Sequence, residues 1–296
     1  MQKTKHGELM ATDRVLSTQK ADILDTETSV HKSHLGNPSI AVSNLSVRYE
    51  QAIACQNINF TAYPGERIAI IGPNGAGKSS LFKAIVGLQS MYAGTISING
   101  QDCKKSHNLV GYVPQHEAVD WQFPASVWDV TMMARTRHIG YFLPPRKRDR
   151  KSVRRALEQV EMWPLRDRQI SELSGGQRRR VFIARALAQE AKVLLMDEPF
   201  AGVDATIEAE IFRVFDLLRN YEVTLIVATH NLGQAATHYD KILMVNRQQI
   251  AYGPPQQIYT PKNLQHTFGG YISLIDSDAD NQTIVVSDDS YHHHDC

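Results

Sequence analysis

Short apolar segments alternate with longer amphipathic segments over most of the chain after residue 39. The runs "RIAII", "KVLLM" and "VTLIVAT" are continuous and strand-length, which is typical of buried strands in a parallel sheet. Residues 79–88 and about 205–220 instead place apolar side chains at helical spacing. Strands that alternate with helices predict an α/β fold with a mostly parallel sheet and right-handed crossovers.

Two regions depart from this alternation. Near the start, "SIAVSNLSVRY" and "GTISINGQD" look like strands, and the Asn99-Gly100 pair is a strong hairpin signal. An N-terminal antiparallel β arm is therefore expected beside the core. Between about 116 and 174 the strand patterns disappear, which predicts a helical subdomain inserted into the α/β core.

A basic run, "PRKRDRKSVRRALEQVE", lies inside the predicted helical region. It leaves open a nucleic-acid-binding patch. A solvated helix face is favoured, because the same helix carries an apolar stripe of Val153, Ala156, Leu157 and Val160. The formal net charge of +1 gives no chain-wide field that would attract nucleic acid, so no nucleic-acid partner is expected.

The nucleotide-binding domain is expected to span residues 39–261. Residues 1–38 are polar, lack the apolar core of a signal peptide and are expected to form a disordered extension. Residues 262–296 are expected to form a polar tail, and its end, "YHHHDC", favours a solvated segment over a metal site. No apolar run approaches the roughly 20 residues of a membrane span. The three cysteines are far apart, which indicates free thiols in a reducing compartment.

The segment "GPNGAGKSS" fits the phosphate-binding pattern G-x-x-x-x-G-K-[ST] between a buried strand and a helix. Glycines in such a loop let backbone N–H groups surround phosphates. Lys78 is expected to reach the β- and γ-phosphates of a nucleotide, and the Ser79 hydroxyl to bind Mg²⁺. The expected nucleotide-binding residues of this loop are Gly72, Pro73, Asn74, Gly75, Ala76, Gly77, Lys78, Ser79 and Ser80.

Polar residues also follow two other buried strands. Asp197 and Glu198 come directly after "VLLM", so Asp197 is expected at the Mg²⁺ and Glu198 as the general base that polarises the attacking water. His230 follows "TLIVAT". A lone histidine after a strand is usually structural, but the neighbouring strand should carry Glu198, which favours a contact between His230 and the γ-phosphate.

A second anion site is indicated by "LSGGQRRR", where Ser174, Gly175 and Gly176 open a predicted helix. The free N–H groups and the dipole of a helix N-terminus favour negative charge. The basic residues Arg178–Arg180 are interpreted as surface charges and interface contacts. This follows from the apolar positions expected to face inward, which are Val181, Ile183, Ala184 and Leu187.

Taken in order, these motifs resemble those of the ATP-binding subunit of an ABC transporter. They are a Walker A at Gly72–Ser79, a Q-loop at Gln115, "LSGGQ" at Leu173–Gln177, a Walker B at Val193–Glu198, a D-loop at Ala201–Asp204 and a switch histidine at His230. The resemblance covers about residues 39–261. It implies a P-loop NTPase (RecA-like) core with ATP and Mg²⁺ as cofactors.

The resemblance also implies roles for individual residues. Two such subunits would pair head to tail as a homodimer, and Ser174–Gln177 of one would close over the γ-phosphate held by Lys78 of the other. Gln115 is assigned to Mg²⁺ and to catalysis, and Asp204 to communication across the interface. Tyr49 matches the aromatic residue that stacks on adenine in the family.

The segment "VPQHEAVDWQFPASVWDV", with "EPFAGVDA" and "HNLGQAATHYDKILMVN", resembles the ATP-binding subunits of manganese, zinc and chelated-iron importers. The pairs Asp120-Trp121 and Phe123-Pro124 are more similar to the manganese-type members. This implies manganese import at the cytoplasmic face of the cell membrane, through integral membrane permease subunits and an external metal-binding protein. Zinc or chelated iron remain open as cargo. So does the alternative that the aromatic residues of this segment only pack the helical subdomain.

Other protein classes fit the motifs less well. A soluble ABC protein of DNA repair or translation would carry two cassettes or a long coiled-coil insertion between Lys78 and Ser174. A P-loop kinase or GTPase would lack "LSGGQ", and a GTPase would also need a guanine-binding motif. The expected function is therefore an ATPase that powers metal import.

Overall fold

The computed structural model describes residues 36–50, 52–115, 121–140, 143–203 and 205–269, together with two strands at 272–275 and 283–286. The first strands and helices are β1 (Ile40–Tyr49), β2 (Ala52–Ala62), β3 (Arg67–Ile71), α1 (Lys78–Ile85), β4 (Met91–Ile98), β5 (Gln101–Asp102), α2 (Cys103–Ser106), β6 (Val110–Val113), α3 (Val127–Met133), α4 (Thr136–Ile139) and α5 (Lys147–Gln159). Those that follow are α6 (Gly175–Ala188), β7 (Val193–Asp197), α7 (Ala205–Asn220), β8 (Thr224–Thr229), α8 (Leu232–His238), β9 (Lys241–Val245), β10 (Gln249–Gly253), α9 (Pro255–Ile258), α10 (Pro261–Phe268), β11 (Ile272–Ile275) and β12 (Thr283–Val286).

The central sheet has the strand order β10-β9-β3-β8-β7-β6. β6, β7, β8, β3 and β9 run parallel, and β10 is antiparallel to β9. Every residue of β3, β7 and β8 is buried. Both faces of the sheet are covered, since Ala69 and Ile71 of β3 join one hydrophobic cluster whereas Ile68 and Ile70 join another. The predicted α/β fold with a mostly parallel sheet is confirmed.

A second sheet, β2-β1-β4-β5, is antiparallel throughout and confirms the expected β arm. β4 turns into β5 at Asn99 and Gly100, whose φ angles of 50° and 76° are left-handed. A two-residue hairpin turn needs such angles. The arm is joined to the central sheet by a hydrogen bond from the Gln56 N–H to the carbonyl of Arg247, at 2.8 Å.

The helical region lies between β6 and α6, and it packs on α6 through α3 and α5. The predicted apolar stripe of α5 is buried in full, at Val153, Ala156, Leu157 and Val160. The remaining positions of α5 include many exposed lysine and arginine residues. The basic run is therefore the outer face of an amphipathic helix.

Arg135 forms a buried ion pair with Asp149 inside this region and also joins the region to the end of α6. The Arg135 guanidinium donates to Asp149 Oδ1 at 3.1 and 3.2 Å, to the Ala188 carbonyl at 2.8 Å and to Glu190 Oε1 at 2.7 Å. Burial alone would raise the pKa of Asp149. Hydrogen bonds from the Arg146 N–H and from Arg135 outweigh that effect and hold this pKa below its usual range.

The packed chain continues past residue 261, where the sequence places the end of the domain. α10 begins at Pro261, buries Leu264 and Thr267, and packs against β9 and β10. The proposed limits of the extension, the domain and the tail otherwise stay predictions. Residues 1–35 and the terminal "YHHHDC" lie outside the described residues.

Replacing Asp149 by alanine should lower the free energy of unfolding by about 3 kcal/mol, because Arg135 would lose its buried counter-charge. Glu190 still neutralises part of that charge, which keeps the effect at the low end for buried pairs. A carboxylate with a lowered pKa stabilises the fold above its unfolded pKa, near 3.8, and this contribution is lost as the pH falls further. The difference between parent and variant, measured by urea unfolding, should therefore shrink at acid pH.

The matched control is Asp167→Ala. Asp167 pairs with Arg166 at 3.1 Å, but its side chain is 80% exposed. Exposed pairs contribute about 0–1 kcal/mol. Equal destabilisation by the two alanine variants would contradict a special role for the buried pair.

Candidate active site

Four parallel strands deliver polar segments to one edge of the central sheet. The strand ladder sets Ile71 of β3 beside Thr229 of β8, and Asp197 of β7 beside Ala228. The segments that follow therefore leave the sheet at one level, at the carboxyl edge where α/β proteins bind ligands. The predicted site residues that follow these strands are Gly72, Gln115, Glu198 and His230.

The loop 72–77 is wedged between the backbones of two other strands. A Cβ atom on Gly72 would lie 2.0 Å from the carbonyl oxygen of Val245, at the end of β9. A Cβ atom on Gly77 would lie 2.4 Å from the carbonyl oxygen of Ala54, in β2, and Gly77 also has a left-handed φ of 98°. Only glycine fits at these two positions without moving a strand.

Further contacts fix the far end of the loop and leave its middle open. The Arg247 N–H donates to the Ala76 carbonyl at 3.0 Å, and Cys55 lies directly behind Gly77. Burial raises the pKa of the Cys55 thiol to about 11. A Cβ atom on Gly75 would meet nothing within 4 Å, and Asn74 is exposed as well. The loop is thus a backbone cradle with one accessible side.

Lys78 begins α1 and is 6% exposed. Its Nζ donates to the carbonyl oxygens of Gly72 at 2.7 Å and Pro73 at 3.1 Å. Burial lowers the pKa of this ammonium group, and the negative charges of Glu198 and Asp197 oppose that shift. A buried cation in a backbone cradle is complementary to phosphate, whose oxygens could replace the two loop carbonyls.

Ser79 and Asp197 fit the magnesium ion that the motif implies. Asp197 is 6% exposed, and its carboxylate hydrogen-bonds to the Ser79 side chain. Burial raises the pKa of Asp197, while the Ser79 hydrogen bond and the charge of Lys78 oppose the change. A hydroxyl and a carboxylate oxygen are the hard ligands that Mg²⁺ prefers. The assignment of the third predicted metal residue, Gln115, to Mg²⁺ stays a prediction.

Glu198 and Gln115 are brought together at the next strand end. Gln115 Nε2 lies 3.4 Å from Glu198 Oε2. The Glu198 N–H donates to the Ala228 carbonyl at 3.0 Å, and its φ of 49° lies in the left-handed region. A left-handed φ at a residue other than glycine is unfavourable, so the surrounding contacts must hold Glu198 in this conformation. His230 is exposed and follows β8, the strand beside β7.

The start of α6 is a separate helix N-terminus whose first residues are exposed. Ser174 and Gln177 make a reciprocal capping box, in which Ser174 Oγ accepts from the Gln177 N–H at 3.3 Å and Gln177 Oε1 accepts from the Ser174 N–H at 3.1 Å. Ser174 and Gly175 are exposed, whereas Gly176 is buried against Ile207. No hydrogen bond or ion pair among the described residues joins Ser174–Gln177 to the loop that holds Lys78.

The aromatic residues that the sequence analysis selected differ in their exposure and contacts. Tyr49 ends β1 and is 39% exposed, so its ring is free to stack on a ligand. Trp121 packs edge-on against Phe182, with ring centroids 5.5 Å apart. Phe123 is 50% exposed. Asp204, like Asp120, lies outside the described residues.

The interpretation of Arg178–Arg180 as surface charges is wrong for Arg179, which is 8% exposed. Its guanidinium donates to the Ala201 carbonyl at 2.8 Å. A signal for this was present in the sequence, since Arg179 stands three residues after Gly176 and four before Ile183, on one helix stripe. The positive charge of arginine instead favoured the prediction that Arg179 lies on the solvent-exposed face of the helix.

Comparisons with known proteins agree with this geometry. Residues 55–201 match the family model described as ABC transporter. The chain is 46% identical over 237 residues to the manganese transport system ATP-binding protein MntB of Halalkalibacterium halodurans, covering 80% of this chain and 94% of that protein. It is 43% identical over 235 residues to the zinc transport system ATP-binding protein TroB of Treponema pallidum, covering 79% and 88%.

A solved structure supports the same conclusion. A metal-chelate type ABC transporter in an inward-facing conformation superposes with a TM-score of 0.72 at 28% identity, covering 84% of this chain and 97% of that one. In the described part of the chain, every helix is too short or too polar to cross a bilayer. The resemblance drawn from the motifs is confirmed, and the chain belongs to the ABC transporter family.

Proposed function

We propose that this chain hydrolyses ATP to power the import of manganese through a separate membrane permease. The observation that carries the proposal is the convergence of Lys78, Asp197 and Glu198 at one sheet edge, in a chain that matches a manganese-named relative at 46% identity. Zinc is a second candidate cargo, because a zinc-named relative is nearly as similar at 43%. Chelated iron is a third, because a relative from Yersinia pestis that is named for chelated iron transport is 39% identical over 263 residues.

The cradle supplies what ATP binding requires. The loop Gly72–Ser80 offers backbone N–H groups to the phosphates, and Lys78 exchanges its two carbonyl partners for phosphate oxygens. The exposed ring of Tyr49 stacks on adenine. Ser79 and Asp197 would hold a Mg²⁺ ion, which would supply positive charge to the β- and γ-phosphates.

Glu198 is the residue best placed to act as general base. Its carboxylate lies one residue beyond the buried Asp197 and accepts a hydrogen bond from Gln115. It takes a proton from the attacking water. Gln115 orients the carboxylate and the water. His230 contacts the γ-phosphate from the adjacent strand end, where its exposed side chain is available.

A head-to-tail homodimer completes the site. Ser174 and Gly175 are exposed at the start of α6, where free N–H groups and the helix dipole favour an anion. In the dimer these groups, with Gly176 and Gln177, close over the γ-phosphate bound to the other subunit. Asp204 communicates across the same interface. ATP then holds the subunits together, and its hydrolysis releases them.

A groove of about 430 Å³ in the helical region, with both polar and apolar side chains in its lining, is the proposed docking site for the permease. Its exposed side chains include Phe123, Met133 and Leu143, at 50%, 48% and 55% exposure. Exposed apolar patches of this kind mark protein interaction sites. Trp121, two residues before the groove in the chain, lines a small cavity together with Asp197 and Glu198, which links the groove to the hydrolytic site. The complex works at the cytoplasmic face of the membrane with an external metal-binding protein.

Lys78→Ala should bind ATP far more weakly, because it removes the only cation that the loop directs at the phosphates within the described residues. Charge-assisted hydrogen bonds to an ion typically contribute about 1.5–3 kcal/mol each, so a loss of affinity of at least tenfold is expected. Equilibrium binding of a fluorescent ATP analogue measures it. Lys105→Ala, an exposed lysine on α2, is the control. ATP binding by Lys78→Ala as tight as by the control would contradict the assignment.

Glu198→Gln should keep ATP affinity but lose turnover by about 100-fold or more, the usual contribution of a general base. The variant should accumulate as an ATP-dependent dimer on gel filtration, because hydrolysis no longer separates the subunits. Glu158→Gln, on the exposed face of α5, should hydrolyse at the parent rate. Turnover by Glu198→Gln at that same rate would exclude Glu198 as the base.

Uptake of labelled manganese and of labelled zinc distinguishes the cargoes. Cells that hold the native partners would carry either the parent chain or Lys78→Ala. Manganese uptake that disappears with Lys78→Ala is the expected result. Loss of zinc uptake instead would support the same ATP-driven import with zinc as the cargo. If uptake of neither metal depends on Lys78, the proposed import of both metals is refuted.

A further inference from the structure

Arg179 occupies an unusual environment for a charged residue of the helix α6. It is 8% exposed and lines a small cavity of about 20 Å³, together with Trp121, Phe182, Asp197 and Glu198. Buried charges are costly and are normally paired. None of the ion pairs found among the described residues involves Arg179, so its burial needs another explanation.

The guanidinium of Arg179 connects two segments that the proposed function assigns to different tasks. Nη2 donates to the carbonyl of Ala201 at 2.8 Å. Nη1 lies 4.0 Å from the position that a Cβ atom on Gly175 would occupy, and it has no hydrogen-bond partner among the described residues. One side chain thus reaches from beneath the first turn of α6 to the turn that follows Glu198.

That turn begins at the proposed general base. The Ala201 N–H donates to the Glu198 carbonyl at 3.2 Å. Ala201, which accepts a hydrogen bond from Arg179, is therefore also hydrogen-bonded to Glu198. On its other side, Phe200 stacks on Phe212 with ring centroids 4.8 Å apart and meets Phe215 edge-on at 5.8 Å. The aromatic contacts anchor the turn to α7, and the Arg179 hydrogen bond anchors it to α6.

We propose that Arg179 is a positioning residue for ATP hydrolysis, which couples the start of α6 to the Glu198–Ala201 turn within one subunit. Arg179 touches no substrate. It fixes the turn so that the Glu198 carboxylate keeps its direction when the first turn of α6 is occupied by an anion. The inference rests on the proposed function, because the effect is on the rate of ATP hydrolysis.

The test compares two arginine-to-methionine variants that remove equally buried guanidinium groups. Arg179→Met deletes the coupling. Arg67→Met is the control, because Arg67 is 6% exposed and lies at the opposite end of β3 from the loop, paired with Asp216. Both variants lose a buried arginine and should unfold at lower temperature. For each, kcat and KM for ATP are measured in the protein assembled with its native partners, and are normalised to the folded fraction.

Arg179→Met should lower kcat about tenfold or more with KM within a factor of about two, because a small misplacement of a catalytic group has effects of this size on the chemical step. Arg67→Met should keep kcat per folded molecule. Arg179→Lys retains a donor for the Ala201 carbonyl and should recover at least part of the lost rate. These three results together support the positioning role.

Other results would overturn it. An unchanged kcat in Arg179→Met, or equal losses in Arg179→Met and Arg67→Met, would reduce Arg179 to a structural residue. Arg179→Lys as slow as Arg179→Met would exclude the hydrogen bond to Ala201 as the cause. Absence of ATP hydrolysis by the parent, or full activity of Glu198→Gln, would instead refute the proposed function, and these outcomes are read separately.

Discussion

The close approach of two backbones to the loop 72–77 is the constraint on which the rest of the site depends. The carbonyl oxygens of Val245 and Ala54 stand where side chains of Gly72 and Gly77 would have to be. These carbonyls belong to the central sheet and to the β arm, so the loop has its shape only when both sheets are in place. A site for a charged ligand is thereby assembled from main-chain atoms, which cannot rotate away as side chains do.

Charge is then placed inside this rigid frame. Lys78, Asp197 and Glu198 come from two strand ends, and burial penalises the charged forms of Lys78 and Asp197. Their opposite charges stabilise one another without a direct ion pair, and Lys78 satisfies its hydrogen bonds on its own loop. Burial lowers the pKa of Lys78 and raises that of Asp197, so a bound ligand that brings complementary charge would stabilise the charged forms of these two groups.

Much of this arrangement could be predicted from the sequence, because it depends on the spacing of apolar residues and on the order of strands and helices along the chain. Continuous apolar runs gave the parallel strands, and parallel strands bring Gly72, Gln115, Glu198 and His230 to one edge. Contacts between distant segments could not be predicted. The residues of "LSGGQRRR" do not show that the carbonyl of Ala201, in a distant turn, accepts a hydrogen bond from Arg179. A prediction from helical periodicity places charged residues on the solvent-exposed face.

Cys55 lies behind Gly77, so the reactivity of its thiol depends on how the loop is packed. Its thiol is fully buried, and burial raises its pKa to about 11, so at neutral pH it is both inaccessible and protonated. An alkylating reagent can react with it only when the packing around Cys55 opens. Because Cys55 packs against the loop at Gly77, a ligand that stabilises the closed loop should slow the alkylation of this thiol.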